Sequence, residues 1–560
     1  MRRPLRFPRR PLWLLIVLPL AVVFVLPVFL VIPIWLARFG VNINSPERVF
    51  REILWGFAAV LVLLGILSLR RGQSHHEERH GRRTKGPELC RPAWLKLSSR
   101  ENGIQFRLCF ERPPFDGLPF GPGYRVPRRL ESSHILLMGD TGSGKSSAIR
   151  QILRQVEERG ESAIVYDPAM DFVGEFYSPA RGDLILNPLD ARCPYWGLGD
   201  EIERDETATA IAAAFLPEKE YEKEFFTDGP RRVLAHLLKK KPQPRDILKW
   251  MAEPERIERM VKGTPLAALL DPGAPAQRAG VLSSLNMVAD CLELLPEWDE
   301  TKGKTFATAE WYTERKRWVF LTSQPAYREK ILPLHSVWLD LFILRMMGYC
   351  ADQAARPVWF VLDELASLHK LPQLHTAVTE NRKYGNPVVL GFQGRSQLEK
   401  RYGQDAEAML SQPATKVFFK TSEPRAAKWV SEAIGEIEVE RLKESRSMGL
   451  VSSKKSYAME IATKPLIMAS EISGLEPLRA FIKRENQVVP VRFQLAKKRG
   501  GQPDFIERRM PALAPRPALS MPAVPAELPR KPAQAALPFA DPPAVQSKKA
   551  YVWDESKGID

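Results

Sequence analysis

The sequence predicts an α/β domain with a parallel sheet, an all-helical insertion within it and a membrane hairpin before it. Short apolar runs such as 135–138 and 358–362 alternate with helical patterns, which is typical of parallel strands covered on both faces. Between about Asp200 and Leu295 the patterns are helical and few β-branched runs occur. Two long uncharged runs stand near the amino terminus. The 560 residues leave room for two or three folded units.

The first 72 residues are expected to form a hairpin of two transmembrane helices. The run 11–37 contains no charged residue, and its 27 residues exceed the ~20 that cross the hydrocarbon core. A second uncharged run covers 53–69. Arginine is densest before the first run and after the second, which predicts that both ends face the cytoplasm. A cleaved signal peptide is the alternative, but its apolar core would be shorter and no second span would follow.

The net charge of +16 is a poor indicator of a nucleic-acid partner, because most of it flanks the membrane segments. The first 100 residues contain 17 Lys and Arg against five Asp and Glu. The five cysteines are an odd number without paired spacing. This composition argues against a disulfide framework and a zinc site, and it fits a reducing compartment.

A glycine-rich segment between the first apolar run and a helical pattern has the form of a P-loop. Glycines there let backbone N–H groups turn toward phosphate oxygens, the lysine reaches the β- and γ-phosphates, and the next hydroxyl suits Mg²⁺. An accidental glycine-rich turn is the alternative, and the flanking strand and helix argue against it. Lys145 is therefore a catalytic candidate and Ser146 a metal ligand. Nine residues are assigned to nucleotide binding: Gly139, Asp140, Thr141, Gly142, Ser143, Gly144, Lys145, Ser146 and Ser147.

Asp363 and Glu364 follow a run of five apolar residues that we interpret as a buried strand. A P-loop enzyme needs a carboxylate at such a strand end to hold Mg²⁺, and a second group to orient or deprotonate the attacking water. We assign Asp363 to the metal and Glu364 to the water. An ordinary solvent-facing acidic pair is the alternative, and the P-loop upstream favours the functional assignment.

Gln393 and Arg382 are candidates for contacts with the γ-phosphate of the nucleotide. Gln393 ends the next apolar run, so we expect it at the same edge of the sheet. Arg382 stands between the two strands, and an arginine that reaches a neighbouring subunit would stabilise charge in the transition state. Strand-end hydrogen bonding for Gln393 and a solvated basic loop for Arg382 remain open alternatives.

With these motifs, the chain resembles the coupling-protein ATPases of conjugative type IV secretion systems, the TraD/TrwB-type family. The resemblance extends to about residue 497 and includes the strings LNPLDARCPYW, ENRKYG and LGFQGRSQLEKRYG. It implies a RecA-like ATPase domain with an inserted all-α domain, and a ring hexamer with ATP and Mg²⁺ at the subunit interfaces. It also implies the roles given above for Lys145, Asp363, Glu364 and Gln393, and an interface arginine at Arg382. The family usually has Lys-Gly after the Asp-Pro that ends the second strand, where this chain has Ala-Met.

The resemblance implies a membrane-anchored hexameric ATPase that couples a relaxase and its DNA, single- or double-stranded, to a type IV secretion channel. We expect a multi-pass protein of the bacterial inner membrane whose ATPase domain is cytoplasmic. A receptor for protein effectors and a chromosomal or septal DNA translocase are the alternatives. The expected parts are a hairpin (1–72), a linker with the start of the ATPase domain (73–130), the P-loop part (131–199), the all-α insertion (200–300), the second nucleotide-binding part (301–497) and a disordered Pro-rich tail (498–560).

Overall fold

The computed structural model describes residues 82–90, 103–109, 123–217, 224–348, 356–448 and 453–509. The predicted hairpin over 1–72 and the tail after residue 509 lie outside the described residues. Within the described ranges, no helix combines the length and the apolar character that a membrane span needs.

Most of the described strands belong to one ten-stranded sheet, and the others form three smaller sheets. The strands are β1 (Arg82–Lys85), β2 (Glu88–Leu89), β3 (Gln105–Phe106), β4 (Tyr124–Arg125), β5 (Ile135–Met138), β6 (Ser162–Asp167), β7 (Leu184–Leu186), β8 (Tyr195–Trp196), β9 (Thr305–Phe306), β10 (Val319–Thr322), β11 (Val358–Leu362), β12 (Val388–Phe392), β13 (Thr415–Phe419), β14 (Glu436–Met448), β15 (Ser453–Pro465), β16 (Arg479–Arg484) and β17 (Gln487–Arg492).

Helices connect the parallel strands and form the insertion. The α-helices are α1 (Arg128–Glu131), α2 (Lys145–Glu158), α3 (Val173–Phe176), α4 (Asp205–Phe215), α5 (Glu224–Leu238), α6 (Pro244–Ala252), α7 (Pro254–Val261), α8 (Pro275–Leu292), α9 (Thr308–Glu314), α10 (Arg328–Gly348), α11 (Leu374–Glu380), α12 (Arg395–Tyr402), α13 (Asp405–Ser411), α14 (Pro424–Ile434) and α15 (Ala469–Ser473). The 3₁₀ turns are Pro179–Arg181, Gly199–Glu201, Pro265–Leu270, Pro325–Tyr327, Leu365–Ser367 and Asn381–Tyr384.

The large sheet has the strand order β2-β17-β16-β13-β5-β12-β11-β6-β10-β7. From β13 to β7 all neighbouring strands run parallel, whereas β16 is antiparallel to β13 and to β17. Every residue of β5, β6, β11 and β12 is buried. Uninterrupted apolar strands are expected when both faces of a parallel sheet are covered, and the predicted α/β fold is therefore confirmed.

The two faces of the sheet have separate cores, because successive side chains of a strand point to opposite sides. Leu136 and Met138 belong to the core that also contains the buried residues of the helical insertion. Ile135 and Leu137 belong to the core under α2, with Ile149 of that helix. The strand before the P-loop is thus packed on both faces, which gives the loop a rigid base.

The insertion is helical from α4 to α8, as predicted. The short parallel pair of β8 and β9 closes its base, since Tyr195 pairs with Thr305. A fully buried carboxylate, Glu201, joins this base to the rest of the fold. It accepts hydrogen bonds from Thr308 N (2.7 Å) and Trp196 Nε1 (3.0 Å). An arginine of α10 also donates to Glu201 O at 2.8 Å, so buried polar contacts fix the base of the insertion to that helix.

The strands after β13 were not predicted from the sequence. β14 and β15 form a long antiparallel hairpin from Glu436 to Pro465, and β1 pairs with β14. β16 and β17 extend the large sheet beyond β13. The sequences of β14 and β15 are rich in Lys, Arg and Glu, so no local apolar run marks them as strands. Their extended conformation depends instead on pairing with neighbouring strands.

The expected start of the disordered tail at residue 498 needs correction. The chain through Arg508 belongs to the same compact unit as the ATPase fold. Ala191 N donates to Ile506 O and Arg508 N to Leu189 O, both at 2.8 Å. These backbone hydrogen bonds pair residues 506–508 with residues 189–191, which follow β7. The Pro and Gly content of the sequence after residue 498 did not indicate this pairing.

Candidate nucleotide-binding site

Apart from Arg382, the predicted site residues follow three adjacent parallel strands, β5, β12 and β11. Phe392 pairs with Met138, and Leu362 pairs with Leu390. The carboxyl ends of these strands therefore meet at one edge of the sheet, as in other open α/β folds that bind ligands there. A cavity of about 460 Å³ opens at this edge, and it is lined by P-loop residues together with Asp363, Glu364 and Gln393.

The P-loop adopts a backbone that requires glycine at two positions. Gly142 has φ +74° and Gly144 has φ +125°, and Gly144 directly precedes α2. An L-residue with a side chain rarely adopts these conformations. The turn they produce places Lys145 at the first position of α2, where its side chain folds back over the loop.

The Lys145 ammonium lies at the centre of the site. Nζ donates to Gly139 O and, at 3.3 Å, to Asp140 O. Burial lowers the pKa of Lys145, while the carboxylates of Glu364 and Asp363 raise it. A cation held over backbone carbonyls and beside two carboxylates is placed where the phosphates of a nucleotide would enter.

The other P-loop residues take different positions. The Asp140 carboxylate accepts hydrogen bonds from Ser422 N (2.8 Å) and Ser422 Oγ (2.7 Å), so it anchors the loop to the segment after β13. Ser143 O accepts from Leu478 N at 2.8 Å, which fixes the loop to the segment before β16. Thr141 is exposed and Ser147 is buried. Ser146 lines the cavity, and its Oγ lies 3.5 Å from Asp171 Oδ2.

The acidic pair after β11 has unsatisfied oxygens. Asp363 is 9% exposed, and its Oδ1 and the Oε1 of Glu364 are buried without a hydrogen-bond partner among the described residues. Burial and the nearby Asp167 raise the pKa of Asp363 to about 7, although Lys145 opposes the shift. Burial also raises the pKa of Glu364. Buried, unpartnered carboxylate oxygens of this kind fit a site that a cation or a water completes.

The donor set is compatible with Mg²⁺ bound together with a nucleotide. Ser146 and Asp363 supply one hydroxyl and one carboxylate to the cavity. Among the described residues, no cluster of three or more His, Cys, Asp or Glu side chains could hold a metal unaided. Magnesium usually keeps several waters and binds through one or two carboxylates plus substrate phosphates, which is the arrangement these two residues allow.

Gln393 connects the P-loop to the acidic pair. Its Nε2 donates to Glu364 Oε2 at 2.8 Å, and its Oε1 accepts from Thr141 Oγ1 at 3.2 Å. The amide therefore touches both the phosphate loop and the carboxylate assigned to the water.

Arg382 lies apart from the other predicted residues. It is exposed, in the 3₁₀ turn that precedes β12, and it does not line the cavity. The turn is at the amino end of β12, whereas Gln393 follows its carboxyl end. Five strand residues, roughly 16 Å of chain, separate the two ends.

Three polar residues of the site were missed by the sequence analysis. Asp167 ends β6 and is buried, and it accepts from the backbone N–H groups of Asp171, Phe172 and Val173 at 2.8, 2.8 and 3.0 Å. This brings Asp171 into the cavity beside Ser146. Arg328, the first residue of α10, also lines the cavity. The Asp-Pro pair at the end of β6 could have indicated Asp167, but no local pattern indicates Arg328.

The Ala-Met pair after β6 has a strained backbone. Met170 has φ +58°, and its N–H donates to Asp167 O at 3.1 Å. The left-handed conformation is one that glycine adopts at no steric cost. Met170 therefore adopts the turn conformation that glycine favours. Its side chain packs against the core under α2.

Comparisons with known proteins agree with this geometry. The family model described as the type IV secretion-system coupling protein DNA-binding domain matches residues 121–496. Coupling protein TraD of Escherichia coli (strain K12) is 28% identical over 401 residues, which are 68% of this chain and 55% of TraD. The chain thus spans about half the length of that relative. Conjugal transfer protein TraG of Rhizobium radiobacter is 33% identical over 115 residues, 20% of this chain and 18% of TraG.

Two solved structures of TrwB share the fold. The unbound bacterial conjugative coupling protein TrwBdeltaN70 has a TM-score of 0.64 at 27% identity, over 76% of this chain and 97% of that one. TrwB in complex with the ATP analogue ADPNP has a TM-score of 0.65 at 26% identity, over 76% of this chain and 98% of that one. Since the family model matches more than half of this chain, the chain belongs to the type IV secretion-system coupling proteins.

Proposed function

We propose that this chain is a P-loop ATPase that binds ATP with Mg²⁺ and uses hydrolysis to drive DNA transfer through a type IV secretion system. The observation that carries the proposal is the convergence of Lys145, Asp363, Glu364 and Gln393 on one cavity at the carboxyl edge of the sheet. The complexes of TrwB with ADPNP and with ADP and Mg²⁺ support the choice of ligand.

Five side chains of the cavity have a proposed role in hydrolysis. The P-loop N–H groups and Lys145 would hold the β- and γ-phosphates, and Ser146 and Asp363 would hold Mg²⁺, which would neutralise part of the phosphate charge. Glu364 orients the attacking water and accepts its proton. The raised pKa of Glu364 makes it a better proton acceptor than an ordinary surface carboxylate. Gln393 holds Glu364 in place and contacts the γ-phosphate.

Arg382 is proposed to act on the neighbouring subunit of a homohexamer. Its exposed position at the amino end of β12 keeps it away from the cavity of its own subunit. In a ring, such a residue is free to enter the next cavity. An arginine supplied in this way would couple hydrolysis in one subunit to the position of its neighbour.

The proposed substrate is DNA delivered by a relaxase, and the proposed partner is the secretion channel. The family name and the similarity to TraD support this assignment. A receptor for protein effectors remains the second candidate because residues 101–560 are nearly neutral, with most of the positive charge near the amino terminus. A chromosomal or septal translocase is disfavoured by the match to coupling proteins. We also retain the six-part domain organisation given above, with the packed chain continuing to Arg508.

The residues before 73 are proposed to anchor the protein as a hairpin in the inner membrane, with the ATPase domain in the cytoplasm. Alkaline phosphatase folds and is active only outside the cytoplasm. A fusion at Asn44, between the two uncharged runs, should therefore be active, and a fusion at Gly86 should be inactive. Activity at Gly86 with none at Asn44 would overturn the hairpin.

Glu364→Gln is the variant that tests the proposed function. The amide is isosteric but cannot accept a proton, so we expect retained ATP binding and a loss of turnover of roughly 10²-fold or more. Wild-type turnover should rise when DNA is added. Weak stimulation by DNA, together with tight binding of a secreted protein, would favour the effector receptor instead. Loss of ATP binding by the variant would make Glu364 a metal or structural residue.

A further inference from the structure

The guanidinium of Arg328 is held at the edge of the cavity by two hydrogen bonds. Nη2 donates to Pro168 O at 2.8 Å and Nε donates to Ser323 Oγ at 3.2 Å. Pro168 directly follows β6 and Ser323 directly follows β10. The side chain is therefore fixed across the carboxyl ends of two neighbouring strands, and Nη1 makes no hydrogen bond to the described residues.

Arg328 approaches the cavity from the far side of β11. The strand order places β5, which carries the P-loop and Lys145, on one side of β11 and places β6 and β10 on the other. Arg328 and Lys145 both line the cavity, as does Glu364. The two cations thus stand on opposite sides of the carboxylates at the end of β11.

The helix itself gains no stability from the positive charge of Arg328. Arg328 is the first residue of α10, a helix of 21 residues. Positive charge is disfavoured at a helix amino terminus, because the backbone N–H groups there already carry partial positive charge. The nearby Glu364 offsets part of this charge, since Arg328 lowers the pKa of Glu364. Arg328 and Lys145 are the two cations among the described residues that line the cavity, where the other charged side chains are carboxylates. These two side chains are therefore the ones suited to face the negative oxygens of an anion.

We infer that Arg328 contacts the γ-phosphate of ATP within its own subunit, opposite Lys145. This inference rests on the proposed ATPase function. Nη1 would contact the phosphate while Nε and Nη2 keep their bonds to Ser323 and Pro168. It would stabilise a triphosphate and contribute little to a diphosphate, which lacks the group it contacts. The site would then contain one arginine from its own subunit in addition to Arg382 from a neighbour.

The experiment compares two nucleotides in the same full-length protein. The dissociation constants of a non-hydrolysable ATP analogue and of ADP are measured with Mg²⁺ for wild type, Arg328→Ala and Arg328→Lys. Arg328→Ala should weaken binding of the analogue by roughly 10- to 100-fold and of ADP by less than about threefold, as expected for loss of one charge-assisted contact. Arg328→Lys should show a smaller loss, because it keeps the positive charge. Some loss should remain, because an ammonium cannot keep the two anchoring bonds and reach the phosphate together.

Lys330→Ala is the matched control, since Lys330 is exposed on the same helix and does not line the cavity. The ratio of the two affinities does not depend on the fraction of folded protein, so partial misfolding of a variant would leave it unchanged. An unchanged ratio in Arg328→Ala, or an equal loss for both nucleotides, would overturn the inference while the ATPase proposal stands. Failure of the wild type to bind either nucleotide would instead overturn the proposed function.

Discussion

Lys145→Ala is expected to lower ATP turnover by about 10²–10³-fold or more and to abolish DNA transfer. Lys145 Nζ is the only P-loop cation, and it is held over Gly139 O at the entrance for the phosphates. Removal of one preorganised group that stabilises transition-state charge costs about this factor in other enzymes. The measurements are ATP turnover of the purified protein and the frequency of conjugative transfer by cells that carry the variant.

The fold is expected to survive this change. Lys145 lines the cavity, so water can enter the space that its side chain leaves and hydrogen-bond to the carbonyls of Gly139 and Asp140. Lys428→Ala is the control, because that side chain is 78% exposed on α14, away from the cavity. Circular dichroism of both variants should match the wild type. Normal turnover by Lys145→Ala would contradict the assignment of the P-loop.

Arg382→Ala is expected to bind ATP normally and to hydrolyse it very slowly. Arginines that reach a γ-phosphate from another subunit are worth roughly 10³–10⁵ in rate where this has been measured. Arg382 lies at the amino end of β12, and the cavity of the same subunit lies beyond its carboxyl end. An effect of Arg382 on hydrolysis is therefore expected to come through the neighbouring subunit. Lys383→Ala, in the same exposed turn, is the matched control and should retain turnover.

Mixed rings give the decisive measurement for Arg382. Co-expression of Arg382→Ala with Lys145→Ala should partly restore turnover, since some cavities then combine an intact P-loop from one subunit with an intact arginine from the next. Each variant alone contains no such cavity. Absence of recovery in hexamers verified to contain both chains would mean that Arg382 acts within its own subunit or only shapes the turn.

The sequence was sufficient to predict the parts of the site that depend on local structure. Lys145 and Ser146 follow from the P-loop, because glycines at fixed positions impose the turn whatever surrounds it. Asp363, Glu364 and Gln393 follow from apolar runs that end in polar residues. Parallel strands present their carboxyl ends at one edge, so these residues were expected to meet, and the described contact between Gln393 and Glu364 agrees with this.

Only the tertiary structure decided the contacts between segments that are distant in the chain. Arg328 reaches Pro168 across 160 residues of sequence, and nothing near either residue indicates their contact. The pairing of Ile506 with Ala191 and the long hairpin of β14 and β15 are of the same kind. Local motifs specify backbone conformation through sterics within a few residues. Contacts such as that of Arg328 instead depend on the packing of a whole sheet, whose geometry no single stretch of the sequence contains.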